Sequence, residues 1–201
     1  MEIIDLKPDD EERIRQTAAL LVAAFREKWP EAWPDLESAL EEVRESFEPG
    51  RISRIALALN DENAGDSPKE GPNDGRVLGW IGGIPEYDGL VFELHPLAVD
   101  PAVQGQGIGR ALVADFEEHV RARGALTIIL GSDDESGLTT LSGVDLYPDP
   151  WQHIARIRNL GNHPYTFYQK LGFVISGVVP DANGPGKPDI LMSKRVTPAS
   201  V

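Results

Sequence analysis

Glu93-Leu-His-Pro-Leu-Ala-Val-Asp-Pro-Ala-Val-Gln-Gly-Gln-Gly-Ile-Gly-Arg110 joins three signals in one stretch. Its first half belongs to an apolar run over 89–99 that reads as a β-strand with a proline inside it. Proline lacks the amide a ladder needs, so Pro96 marks an edge, a bulge or a splayed strand end. The second half is a glycine-rich turn. Beyond it, the spacing of Leu112, Val113, Phe116 and Val120 predicts a helix over 107–123. Glycines let the backbone come close to a ligand and take positive φ. A helix start turns unpaired N–H groups and a positive dipole end outward. A diphosphate suits such a place; a tight turn without a ligand is the other reading. The loop lacks the Gly-Lys-Ser/Thr ending of a P-loop. Gly105-x-Gly107-x-Gly109 also departs from the GxGxxG of a dinucleotide fold, which sits in that fold's first βα unit.

Toward the N-terminus, Asp9 or Asp10 caps a predicted helix through 11–29, and Trp29-Pro-Glu-Ala-Trp33 reads as a turn between prolines. Pro34 or Asp35 opens a second predicted helix, stopped by Pro49-Gly50, and strands are expected over 52–60 and 76–84. Residues 60–75 hold no large apolar side chain and are expected to form a mobile loop between those strands. Toward the C-terminus, 125–131 reads as a short strand buried on both faces. Helices are predicted over 149–160 and 163–171, then strands over 173–180 and 189–196, with 196–201 as a tail. The order αα, β, β, β, α, β, α, α, β, β implies an α/β (α+β) fold, a mixed sheet with helices packed on it. A single domain over 1–201 is expected.

The chain has 201 residues, enough for a sizeable core. It has no cysteine, which removes disulfides, thiolate metal sites and cysteine nucleophiles. No histidine–carboxylate cluster has metal-ligand spacing, so no metal is expected. The acidic N-terminus has no signal-peptide pattern, and no apolar run approaches the roughly 20 residues of a membrane span. A cytoplasmic protein without a membrane partner is expected. Nineteen Lys and Arg against 33 Asp and Glu give a net charge of −14, a poor basis for gripping nucleic acid. Such a balance favours cationic partners. The charge is uneven, however: residues 1–50 carry 6 basic and 14 acidic groups, residues 151–201 carry 6 and 2. One end of the chain is suited to a cation and the other to an anion.

Gln104-x-x-Gly107-x-Gly109 after a proline-bearing strand resembles the acyl-CoA loop of the GNAT N-acetyltransferase superfamily. More motifs occur in sequence: Trp29-Pro-Glu31, Gly82-Gly-Ile-Pro-Glu-Tyr87, Glu93-Leu-His-Pro-Leu97, Gly131-Ser-Asp-Asp134, Thr139-Thr-Leu-Ser142, Asp145-Leu-Tyr147, His163-Pro-Tyr-x-Phe-Tyr168-x-Lys-Leu-Gly172, Asp181-Ala-Asn-Gly184 and Lys187-Pro-Asp-Ile190. That succession is similar to the aminoglycoside 6'-N-acetyltransferases, over about residues 20–195. Two features depart from the family pattern: a longer 60–75 loop, and Asp181 in place of asparagine.

The resemblance implies the GNAT fold, a mostly antiparallel sheet with a splayed parallel pair and helices on both faces. It implies acetyl transfer from acetyl-CoA to the 6'-amine of an aminoglycoside by direct attack, antibiotic resistance, and a homodimer. Acetyl-CoA contacts are implied for Leu97, Val99, Tyr168 and the run Gln104-Gly105-Gln106-Gly107-Ile108-Gly109-Arg110. An alkylammonium must lose a proton before it attacks a thioester. The resemblance puts the candidate base at Glu93; ammonium binding alone is the competing role. The oxyanion needs donors, and the backbone of Leu97 is implied as one. Tyr168 matches a tyrosine near the leaving thiolate, against a core role in a cluster with Tyr165 and Phe167. Trp29, Glu31 and Tyr87 match positions near the antibiotic. Asp133 and Asp134 are candidate ammonium binders, with Asp134 preferred, or else caps. His95 is expected to be structural and bonded to backbone. Two other readings stay open: the same chemistry on a polyamine or protein lysine, and a non-catalytic binder of cationic drugs or acyl-CoA.

Overall fold

The computed structural model describes residues 1–59 and 75–197. The expected loop over 60–75 therefore lies outside the described residues but for Gly75. The chain divides into two compact units, Met1–Pro85 with Leu94–Arg123, and Glu86–Glu93 with Gly124–Val201.

The first unit opens with a strand the sequence did not announce, β1 (Glu2–Asp5), paired antiparallel with β2 (Ile52–Leu57). Between them lie α1 (Glu11–Phe25) and α2 (Leu36–Glu45). Asp10 and Asp35 cap these helices by accepting hydrogen bonds from the amides of Arg13 and Ser38. The first helix stops at Phe25, four residues before the prediction, where the Trp29–Trp33 turn begins. Next come β3 (Val77–Glu86), antiparallel to β2, then β4 (Val91–Val99) and α3 (Ile108–Ala122). Ile14, Leu21, Ala39 and Val43 from the two N-terminal helices bury one face of Ile55 and Trp80. The opposite face of β3 receives α3: a Cβ at Gly79 would meet Leu112 and Ile108, and one at Gly83 would collide with Phe116. Small residues on β3 thus let a helix lie directly on the strand. Arg54, nearly buried, donates to Asp115 on α3 at 2.7 and 2.8 Å and to Asp5 at 2.6 Å, fastening β1, β2 and α3 together.

In the second unit, β5 (Thr127–Leu130) pairs parallel with β4, Val91 opposite Thr127 and Glu93 opposite Ile129. Burial alternates along β5, so only Ile128 and Leu130 are buried. This corrects the expectation of a strand buried on both faces. Helices α4 (Pro150–Ala155) and α5 (Tyr165–Lys170) are shorter than predicted. Residues beyond Ala155 leave the helix because they pair with 138–140 instead: Arg158 N–H donates to Thr140 Oγ1 at 3.0 Å and Leu160 N–H to Leu138 O at 2.7 Å. The last strands, β6 (Val174–Val179) and β7 (Asp189–Arg195), pair antiparallel, and β7 also pairs with β5. Val196, where the predicted last strand meets the tail, lies just past β7, is buried and donates its amide to Leu126 O. The hydrogen-bonded strand order is β1-β2-β3-β4-β5-β7-β6, a mixed sheet whose parallel pair is β4–β5.

Candidate active site

The first unit carries the glycine-rich turn. At the end of β4, Asp100 accepts from Ala102 N–H at 2.8 Å and from Arg76 at 2.9 Å, which starts a single 3₁₀ turn. Gln104 then folds back, its amide donating to Val99 O at 3.1 Å. Gly105 and Gly107 take φ of 78° and 89°, a region other residues avoid. A Cβ on either would meet no atom within 4 Å, so the loop faces open space. No side chain caps α3, and its first-turn amides remain for an anion. Gln104, Gly105, Gln106, Gly107 and Arg110 are exposed, Gly109 half-exposed. Ile108 differs: its side chain is buried against Gly79, and only its backbone is available. Backbone donors, a dipole end and the Arg110 guanidinium fit a diphosphate.

Burial alternates along β4, with Glu93, His95, Leu97 and Val99 half-buried between buried neighbours. Pairing with the short β5 runs from Val91 to Glu93 and stops three residues before Pro96. The His95 Nε2 lies 3.6 Å from Glu42 of α2, and its ring lies beside that of Trp33. Burial alone would push the Glu42 carboxyl up; hydrogen bonds from His95 and Trp33 outweigh it and hold the group low. Trp29 packs on Phe25, and Glu31 is exposed in the turn that follows.

In the second unit, carboxylates gather at the start of β7. Asp133 and Asp189 face each other across a β-bridge. Asp133 is anchored by Asn183, whose amide donates to it at 2.5 Å, and by His163, whose Nε2 donates to its carbonyl at 3.0 Å. His163 Nδ1 accepts from Tyr165 N–H, and this sets the tautomer. Asp189 lies against Gly131: a Cβ there would stand 2.5 Å from its Oδ2. Its Oδ1 is buried and accepts no hydrogen bond from the described residues. Burial, then the charges of Asp133 and Glu93, push the Asp189 carboxyl up to about 6. Sequence reasoning missed Asp189. The signal was the strand register, in which Leu130 opposite Met192 brings Asp133 opposite Asp189.

Asp134, the preferred ammonium binder, is a cap instead. It is fully buried, and its two oxygens accept from Leu138 N–H at 2.6 Å and Thr139 N–H at 2.8 Å. Asp181 takes left-handed φ of 54° and accepts from Gly186 N–H, so aspartate serves where asparagine was expected. Tyr87, at φ 49°, is exposed in the turn before β4. Tyr168 contacts Phe167 and Phe173 edge to face, and Tyr165 instead packs on His163. Burial pushes the Tyr168 phenol up, so it keeps its proton, and no described residue hydrogen-bonds its hydroxyl. Among the described residues no His, Asp or Glu group has the makings of a metal site, and no helix is long and apolar enough to cross a membrane.

Residues 16–137 match the acetyltransferase (GNAT) family. A crystal structure of an aminoglycoside 6'-N-acetyltransferase complexed with coenzyme A is 38% identical over the whole of both chains, with a TM-score of 0.85. The aminoglycoside 6'-N-acetyltransferase from Enterococcus faecium is 36% identical over the same coverage, TM-score 0.83. The mycothiol acetyltransferase of Thermomonospora curvata is 28% identical over 117 residues, 45% of this chain, and the match spans only 38% of that protein's length. The chain belongs to the acetyltransferase (GNAT) family.

Proposed function

We propose that the protein transfers the acetyl group of acetyl-CoA to the 6'-amine of aminoglycosides. The observation that carries this is the carboxylate group of Glu93, Asp133 and Asp189, in which, among the described residues, one buried oxygen has no donor and no cation offsets the charge. A polycationic sugar supplies several ammonium groups at once. The full-length similarity to two aminoglycoside 6'-N-acetyltransferases supports the same substrate class.

Acetyl-CoA supplies the activated acetyl group. Residues Gln104 to Arg110 hold its diphosphate through backbone amides, and Val99 bounds the same loop. Glu93 binds the substrate ammonium and takes its proton. The backbone of Leu97 donates to the acetyl oxygen. Tyr168, protonated at every physiological pH, donates toward the departing sulfur. Asp133 and Asp189 hold other ammonium groups, and Trp29, Glu31 and Tyr87 contact the sugar rings. In the cell this activity confers aminoglycoside resistance in the cytoplasm, with the enzyme acting as a homodimer.

The test is thiol release from acetyl-CoA across a panel of amines. Turnover with kanamycin and tobramycin, absent with 6'-hydroxyl counterparts, is expected. Turnover confined to spermidine or peptides would reassign the amine, and binding without thiol release would leave no enzyme.

A further inference from the structure

The second unit also holds a cavity of about 460 Å³ lined by Thr140, Gln152, His153, Arg156 and Arg158. None of these belongs to the acidic group, and none has entered the acetyl-transfer reading. The lining is built from two fixed pieces. Asp149 caps α4 by accepting from Gln152 N–H at 3.0 Å, which sets Gln152 and His153 on the first turns. Thr140 and Arg158 clamp each other: Arg158 N–H donates to Thr140 Oγ1, and Thr140 N–H donates to Arg158 O at 3.1 Å. The side chains of Arg156 and Arg158 have no carboxylate partner among the described residues, although the chain carries 33 Asp and Glu. No acid lines the cavity.

We infer that this cavity binds a phosphomonoester. Two guanidinium forks, an imidazole, a hydroxyl and a side-chain amide converge on one space, a donor-rich lining that matches the many acceptor oxygens of a phosphate dianion. A cationic sugar is repelled there, so the cavity is no extension of the aminoglycoside site. Its volume falls within the roughly 300–1,000 Å³ of small-molecule pockets, larger than a bare phosphate requires, which leaves room for an organic group. It lies in the part of the chain, 151–201 with its approach, where bases outnumber acids 6 to 2. The ligand phosphate has two sources, a free phosphorylated metabolite or the 3'-phosphate of coenzyme A.

Calorimetric titration of the full chain with adenosine 5'-monophosphate, inorganic phosphate and uncharged adenosine tests this. Saturable binding of the two phosphates and none of adenosine is expected, with a loss of about tenfold or more in the Arg156→Gln/Arg158→Gln double variant. Both side chains are exposed, so the variant should melt as wild type does, which a thermal scan checks. Acetyl-CoA titrated into the same variant separates the sources. Wild-type affinity assigns a free phosphoester, and a parallel loss assigns the coenzyme's own phosphate. Phosphates that bind no better than adenosine, or equally well to the double variant, overturn the inference. The outcome is independent of aminoglycoside turnover.

Discussion

Glu93 is the last residue of β4 to pair with β5, and it stands half-buried, close enough to Asp189 for its charge to act on that carboxyl. If it removes the substrate proton, Glu93→Gln lowers kcat/KM by roughly 100-fold or more at neutral pH. The loss shrinks as pH rises and the free amine accumulates; a pH–rate profile reads both, and a loss that stays constant with pH leaves Glu93 a binding role alone. Tyr168 sits in an aromatic cluster that keeps its phenol protonated, which suits a donor and not a base. Tyr168→Phe should cut kcat about tenfold while the dissociation constant of acetyl-CoA stays near wild type. Asp189 makes the sharpest case because function and stability pull in opposite directions. Its folded pKa, about 6, exceeds the ordinary carboxylate value of 3.8. The native state therefore holds this proton more tightly than the unfolded chain does, and stability falls as pH rises from about 4 through 6. Above 6 the cost of the buried charge is complete. Asp189→Asn should raise the melting temperature at pH about 7.5 and leave it unchanged near pH 4, while the KM for aminoglycoside rises at the higher pH. Equal melting curves at both pH values would show that the carboxyl is not held against its environment.

The turn from β4 to α3 is where local sequence and chemistry coincide most closely. Positive φ at Gly107 and the open space on its Cβ side come from the glycine alone. Gly107→Val forces a branched side chain into a left-handed conformation and over the amides of α3. Acetyl-CoA affinity should fall at least about tenfold by calorimetry, with the aminoglycoside affinity preserved. This turn was legible in the sequence because glycine and proline act on their own backbone. The helices α1 and α2 were legible to within a residue for a similar reason, since Asp9-Asp10 and Pro34-Asp35 mark their starts, and the structure makes Asp10 and Asp35 the caps. Elements set by partners were not. β1 is four residues long with a carboxylate at each end, too short to show alternation, and only its pairing with β2 and the reach of Arg54 to Asp5 define it. The end of α4 depends on 138–140 drawing the chain away. Asp133 and Asp134 are adjacent acids, and what separates binder from cap is which one the Leu138 and Thr139 amides reach. Asp189 became visible only once the register of β5 against β7 placed it beside Gly131.

The net charge of −14 acquires a meaning only when its distribution is followed through the fold. Many acids are spent on architecture. Asp5 and Asp115 hold Arg54, Asp10, Asp35 and Asp149 cap helices, and Asp134 closes a turn in full burial. Glu93, Asp133 and Asp189 have no such cationic partner among the described residues, and the charges of Asp133 and Glu93 add to burial, the larger cause, in raising the pKa of Asp189. On the proposed reading a polycation relieves that repulsion, and substrate binding would draw on several weak, partly exposed contacts at once and not on one strong pair. Contacts of this kind are each worth about 0–1 kcal/mol and are screened by salt. The amide cradle proposed at α3 would work differently, through directed backbone hydrogen bonds to a diphosphate. Raising sodium chloride from about 50 to 500 mM shortens the Debye length from roughly 14 to 4 Å. The KM for kanamycin should therefore climb several-fold, with kcat nearly constant and the KM for acetyl-CoA less affected. A kanamycin KM that stays flat across that range would mean that the carboxylates contribute no net attraction, and that the sugar is held by shape alone.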